Sequence, residues 1–254
     1  MVRGPALAAL LGVTEEGNFE GGSILTRRSG IEPEGLFDRY RPALRERRQT
    51  REQPGLDRKI ITSWNGLAIS AMARAAAAFG EDRYLAAATR AADFIWSVHR
   101  GADGSLMRAS NQGHADHAAV LDDHALLAAG LLELYDASGD EIHLARAIEL
   151  VRQVIARFEH PEAGFYLTRD DVALGRQVRI EDTVRPSGNS AMLHVLLRTA
   201  ALTGEMDLHT RVATTLGAYS AAMARSGIGT AWWFDAAEKL AGPHYEVVVA
   251  GASD

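Results

Sequence analysis

Three stretches of this chain can be laid over one another on a glycine, and that register limits the fold more than any other feature of the sequence. Trp64–Gly80, Asp123–Gly139 and Gly188–Gly204 each carry the apolar periodicity of a helix of about four turns. Each glycine stands where a helix ends in the left-handed conformation, which a residue without a Cβ enters freely. A few polar residues follow each glycine, then a second helical pattern: Arg83–His99, Ile142–Glu159 and Met206–Arg225. Helix, short connection and helix make an αα-hairpin, so the chain from Ser63 onward reads as three hairpins in succession. The glycines are 59 and then 65 residues apart. That spacing is well beyond the roughly 34 of a tetratricopeptide repeat.

The register reaches back to the start of each first helix. Seventeen residues before each glycine stand Ser63, Asp122 and Ser187, residue types that cap a helix by accepting one of its free N–H groups. Fifteen residues before stand Asn65, His124 and Asn189. Hairpins packed side by side around an axis would gather these polar side chains at one end of it. A further helix is read over Trp232–Leu240.

The rest of the chain is less regular. Glycines at 12, 17, 21, 22, 30 and 35 mark turns, and Pro33 opens a short helix. Arg39, Arg41, Arg45, Arg47, Arg48 and Arg51 form a basic run, read as a solvated helix or linker. The expected division is an irregular N-terminal segment with this linker over residues 1–54, and a helical domain over 55–254. The connections Arg100–Asp116 and His160–Pro186 are long for a helical domain. Within them Gly104–Arg108 and Gly164–Arg169 look alike, each a short extended piece after a turn. Tyr245–Val249 reads as a β-strand.

Composition excludes several classes of function. The chain has no cysteine, which removes disulfides, zinc–thiolate sites and thiol nucleophiles, and fits the reducing cytoplasm expected for it. A net charge of −6 argues against a nucleic-acid partner. No apolar run is long enough to span a bilayer. Ala6–Val13 is too short for a leader and lacks a cleavage pattern before Thr14-Glu15-Glu16, so it is read as part of the fold. There is no P-loop, GxGxxG, GxSxG or HExxH pattern, and no cofactor is expected.

Candidate chemistry gathers at the helix starts. Asp123 is the better placed of the Asp122–Asp123 pair for acid/base work, with Asp182 in the long connection as its candidate partner. Asp122 falls on the capping register. Glycoside chemistry needs two such carboxyl groups flanking a sugar bond. His124, beside His114 and His117, suits proton transfer next to a carbonyl near neutral pH. His114-x-x-His117 with Asp116 is too common a spacing to imply a metal site, and none is expected. Ser187-Gly188-Asn189 at a helix start would present N–H groups to a sugar hydroxyl or simply cap the helix. Trp64 would stack on a sugar ring or pack in the core. Asn65 and Asn189 join it as candidate substrate-binding residues, with Ser187.

The motifs Gly12-Val13-Thr14-Glu15-Glu16-Gly17-Asn18-Phe19-Glu20-Gly21 and Asp57-x-Lys59-Ile60-x-Thr62-Ser63-Trp64-Asn65-Gly66-Leu67 resemble the spermatogenesis-associated protein 20 family, which includes bacterial YyaL-like proteins. Pro186-Ser187-Gly188-Asn189-Ser190 and Glu246-Val247-Val248-Val249-x-Gly251 match its later motifs. Two places depart from its pattern: Arg58 stands where an acidic residue is usual, and Asp122-Asp123-His124 replaces Glu-Asp-Tyr. The resemblance implies a thioredoxin-like domain followed by an (α/α) toroid similar to six-hairpin glycosidases and N-acylglucosamine 2-epimerases. This chain would begin after the first and stop before the end of the second. The expected fold is therefore all-α, a partial (α/α)6 toroid of about three hairpins with short β pieces. The expected function is a carbohydrate-active or carbohydrate-binding toroid acting on a small sugar. The alternatives are a non-catalytic interaction domain serving a thioredoxin-like module, or a fragment without independent function. If the short form stands by itself, self-association through the open toroid edge is expected.

Overall fold

A computed structural model of the chain describes residues 4–27, 35–170, 173 and 175–243, which fall into two units, Met1–Asp57 and Arg58–Asp254. In the first unit, α1 (Gly4–Leu10) runs into a left-handed Gly12. The Asn18 side chain then clasps the main chain of Ile24, donating at 3.0 Å and accepting at 2.7 Å. After a left-handed Gly35, α2 (Leu36–Gln49) carries Arg39, Arg41, Arg45, Arg47 and Arg48 on exposed positions, so the basic run is a solvated helix as far as Arg48, with Arg51 exposed beyond its end. Gly30 and Pro33 lie outside the described residues.

The second unit holds the repeat. Its elements are β1 (Ile60–Ile61), α3 (Thr62–Phe79), α4 (Asp82–Val98), β2 (Met107–Asn111), β3 (His114–Ala118), α5 (Leu121–Ser138) and α6 (Glu141–Phe158). Then come α7 (Gly188–Thr203), α8 (Met206–Ser226), a 3-10 turn at Gly227–Thr230, and α9 (Ala231–Ala241). Gly80, Gly139 and Gly204 have φ of +66°, +69° and +75°, and their amides close the last turns on Ala76, Tyr135 and Ala200. The glycine register therefore ends three helices as the sequence requires.

The first helices of the hairpins form an inner layer, with α3 beside α5, α5 beside α7, and α9 beside α7. The second helices stand behind them, α4 on α3, α6 on α5 and α8 on α7. Burial follows from this placement. Helix α5 has a neighbour on each side and one behind, so it is buried almost all round, from Leu121 to Leu134. Helix α3 buries only the face holding Gly66, Ile69 and Ala73. Its other side leaves Trp64, Met72 and Phe79 exposed at 63, 39 and 71%. Leu127, Leu131, Leu150, Val154, Phe158, Leu193, Leu196 and Trp233 fill the space between the layers. Each is worth roughly 1.5–3 kcal/mol of burial.

The connections follow one pattern. Met107 N–H donates to the His99 carbonyl at 2.8 Å, and Tyr166 N–H to the Phe158 carbonyl at 2.7 Å. Each closes a turn through a left-handed glycine, Gly104 or Gly164. In the first connection the chain continues into an antiparallel sheet ordered β1-β2-β3, pairing Ile61 with Ala109 and Ala109 with Asp116. The expected strand at Tyr245–Val249, with the Glu246–Gly251 motif, lies outside the described residues. Among the described residues, no helix is long and apolar enough to cross a membrane.

Candidate functional site

The helix N-termini carry most of the residues singled out by the sequence. Only one of the three expected caps is a cap. Ser187 precedes α7 and accepts from Ser190 N–H at 3.1 Å. Ser63 and Asp122 instead lie one turn position inside their helices, which start after Ile61 and Val120. The free amides at those starts are taken by Asp123. Its Oδ1 accepts from Ser63 N–H and its Oδ2 from Val120 N–H, both at 3.1 Å. One buried carboxylate thus closes the first turns of two neighbouring helices, where the helix dipoles favour negative charge. Burial pushes its carboxyl upward, and these hydrogen bonds offset part of that.

Asp182 does the same for the next pair. Its Oδ1 accepts from Ser187 N–H at 2.9 Å and Ser190 Oγ–H at 2.6 Å, and its Oδ2 from Trp232 N–H at 3.1 Å, joining α7 to α9. Asp123 and Asp182, expected as partners, therefore serve different helix pairs. Asp122 forms an ion pair with Arg185 at 2.6 Å.

The second equivalent set is also committed to backbone. Asn65 Nδ2 donates to Ile61 O at 2.9 Å, and His124 Nδ1 donates to Val120 O at 3.0 Å. Asn189 accepts from Phe165 N–H and donates to Phe165 O, both at 2.9 Å, and donates to Arg179 O at 3.0 Å. Burial draws the His124 pKa down to about 4, so its ring is neutral at pH 7. Thr62 donates to Met107 O and accepts from His99 Nδ1–H, both at 2.7 Å. His99 Nε2 then accepts from Ser110 Oγ–H at 2.8 Å. His114 and His117 stand exposed on β3, and among the described residues no three His, Asp or Glu side chains cluster as metal ligands.

The concave side of the inner layer holds a groove of about 910 Å³. None of Trp64, Asn65, Asp123, His124, Asp182, Ser187 and Asn189 lines it. Its walls are one stripe repeated on four helices: Leu67-Ser70-Arg74, Leu126-Ala129-Glu133, Ala191-His194-Arg198 and Trp232-Asp235-Lys239. Residues at i, i+3 and i+7 share a helix face, so four such faces turned inward make three tiers.

The tier two turns in is charged. Glu133 accepts from Arg74 and Arg198, both at 2.7 Å, and Arg198 also pairs with Asp136. Burial pushes the Glu133 carboxyl up, but the Arg74 hydrogen bond and the two guanidinium charges more than offset it and hold it below the usual range. In the middle tier, His194 Nε2–H donates to Trp232 O at 2.9 Å, while its Nδ1 accepts from Lys239 Nζ at 3.3 Å. Desolvation holds this ring neutral as well. Lys239 also donates to Asp235 at 2.8 Å. Trp232 is 44% exposed and meets His194 edge-on at 5.1 Å between ring centres. The glycine register contained the signal for this face. Thirteen, ten and six residues before each glycine lie the three inward positions of α3, α5 and α7.

The two-layered hairpins and central groove define an (α/α) toroid of the six-hairpin glycosidase-like class. Solved structures agree on the fold. A cellobiose 2-epimerase from Spirochaeta thermophila superposes with a TM-score of 0.53 at 16% identity, over 71% of this chain and 55% of that one. A family 105 glycoside hydrolase from C. acetobutylicum gives 0.54 at 14% identity, over 72% and 60%. No protein-family model matches the chain. The chain is a homologue of spermatogenesis-associated protein 20. It is 29% identical to the human protein over 260 residues, which is 89% of this chain and 33% of that protein. It spans about a third of the length of that relative.

Proposed function

We propose that the concave groove binds a carbohydrate. The observation that carries this reading is the stripe repeated on four inner helices, which sets a partly exposed indole beside a tier of fixed hydrogen-bonding groups. Sugar rings present apolar faces that stack on aromatic rings and hydroxyls that need both donors and acceptors. Trp232 supplies the first, and Arg74, Glu133, Arg198, Asp235 and Lys239 the second. The fold neighbours, a cellobiose 2-epimerase and a glycoside hydrolase, support a sugar ligand. Because the Nδ1 of His194 already accepts from Lys239, any proton transfer here runs through the His194–Lys239–Asp235 cluster rather than through His194 alone. Asp123, His124 and Asp182 then act by closing the starts of the inner helices.

The test is titration of the chain with glucose and cellobiose, followed by calorimetry and by ligand-observed NMR. Trp232→Ala and Glu133→Ala, each checked for native circular dichroism, are expected to weaken binding about tenfold or more, equivalent to about 1.4 kcal/mol. Absence of binding to both sugars, or an affinity equal to the parent's in both variants, would overturn the assignment.

A further inference from the structure

The outer layer repeats as the inner one does, but its successive furrows are filled differently. Between α4 and α6, Trp96 fills the furrow, with the guanidinium of Arg100 4.4 Å from its ring centre and that of Arg146 at 5.2 Å. Those arginines are neutralised by Glu149 and Asp93. Carried one hairpin onward in the glycine register, Trp96 becomes Ile155, Arg146 becomes Arg211 and Glu149 becomes Thr214. By the same register Arg100 becomes Glu159 and Asp93 becomes Arg152, so the furrow between α6 and α8 loses its aromatic plug and sets two arginines against one carboxylate.

A cavity of about 590 Å³ opens there. Arg157, Arg176 and Arg211 line it, on a chain whose net charge is −6. Arg176 is held ready: it donates to Thr168 O at 2.9 Å and Arg157 O at 2.8 Å, and lies 4.0 Å from the Tyr166 ring centre. Arg211 pairs with Glu159, yet its buried Nε has no hydrogen-bond acceptor among the described residues, Asp207 standing 3.6 Å away. Glu162 is the remaining carboxylate in the lining, so three guanidiniums face two acids.

We propose that this cavity is a binding site, separate from the groove, for a small molecule bearing a phosphate or carboxylate group. Its volume suits a small metabolite rather than a bare ion. Guanidinium forks match the oxygens of both groups, and a pre-positioned arginine loses little freedom on binding. The cavity and the groove share no lining residue.

The experiment titrates the chain at low salt with inorganic phosphate, glucose 6-phosphate, glucuronate and glucose. Two variants accompany it: Arg157→Gln, which removes a charge, and Ile155→Trp, which restores the plug found between α4 and α6. Binding of the charged probes is expected to fall about tenfold in Arg157→Gln, or about 1.4 kcal/mol, and to vanish in Ile155→Trp. Glucose binding in the groove should be unchanged by either. Tighter binding of the phosphates than of glucuronate identifies a phosphate site, and the reverse a carboxylate site. Failure of all three charged probes to bind, or equal affinity in Arg157→Gln and the parent, would overturn the proposal.

Discussion

Gly66 of α3 and Gly130 of α5 meet where the two inner helices cross most closely. A Cβ on Gly130 would lie 2.5 Å from the Gly66 carbonyl oxygen, and one on Gly66 would lie 2.4 Å from the carbonyl oxygen of Leu126. Both obstacles are backbone, so neither can move aside without shifting a helix. Gly66→Ala is therefore expected to destabilise the protein by about 3 kcal/mol through overpacking, seen as a lower midpoint in urea unfolding. Gly217, inside α8 with nothing within 4 Å of an added Cβ, is the matched control. Gly217→Ala should raise stability by about 0.5–1 kcal/mol, because alanine gives up less backbone freedom in a helix.

The double role of Asp123 can be tested without reference to any ligand. Asparagine keeps one acceptor but turns an NH2 group toward a backbone N–H, so one buried amide loses its partner. Asp123→Asn is expected to cost about 1–3 kcal/mol, and to speed hydrogen exchange at Ser63 and Val120 together. Exchange unchanged at both amides would show that the carboxylate does not close these turns.

Acid should loosen the fold through its buried histidines. His124 is neutral when folded, with a pKa of about 4 against 6.5 as a free side chain. The unfolded chain therefore takes up the proton first as pH falls. The stabilisation is complete above about pH 6.5 and is lost as pH drops toward 4, amounting to about 3 kcal/mol for this group. Burial lowers His99, His143 and His194 in the same direction. Thermal midpoints measured from pH 7.5 to 4.5 should fall steeply, and less steeply in His124→Gln.

Asp182 ties α9 to the third hairpin through the Trp232 amide. Removing it in Asp182→Ala should cost about 1–2 kcal/mol by uncapping two helices. It should also change tryptophan fluorescence, since the Trp232 ring sits at the groove wall. A native spectrum with full stability would place the α7–α9 contact elsewhere.

Much of the architecture is legible in the chain. Glycines at 80, 139 and 204 end helices because only a residue without a Cβ turns left-handed there without strain, and this is a local property. The likeness of the Gly104 and Gly164 turns is local too. The caps were less legible. Ser63 and Asp122 have the chemistry of caps, but a carboxylate from a neighbouring helix reaches the same amides, and no sequence window spans the 60 residues between Asp123 and Ser63.

The sequence by itself determined where the helices stop, that they come in pairs, and which positions are equivalent from one pair to the next. Tertiary structure alone decided what those equivalent positions do. Asn65, His124 and Asn189 are equivalent by register, yet packing turns them onto backbone near the helix starts. Arg74, Glu133 and Arg198 are equally equivalent, and packing turns them into the groove, where they meet as one charged cluster. Periodicity assigns a residue to a helix face. Which face becomes the wall of a cavity depends on how neighbouring helices approach, and here that was set by backbone contact at Gly66 and Gly130.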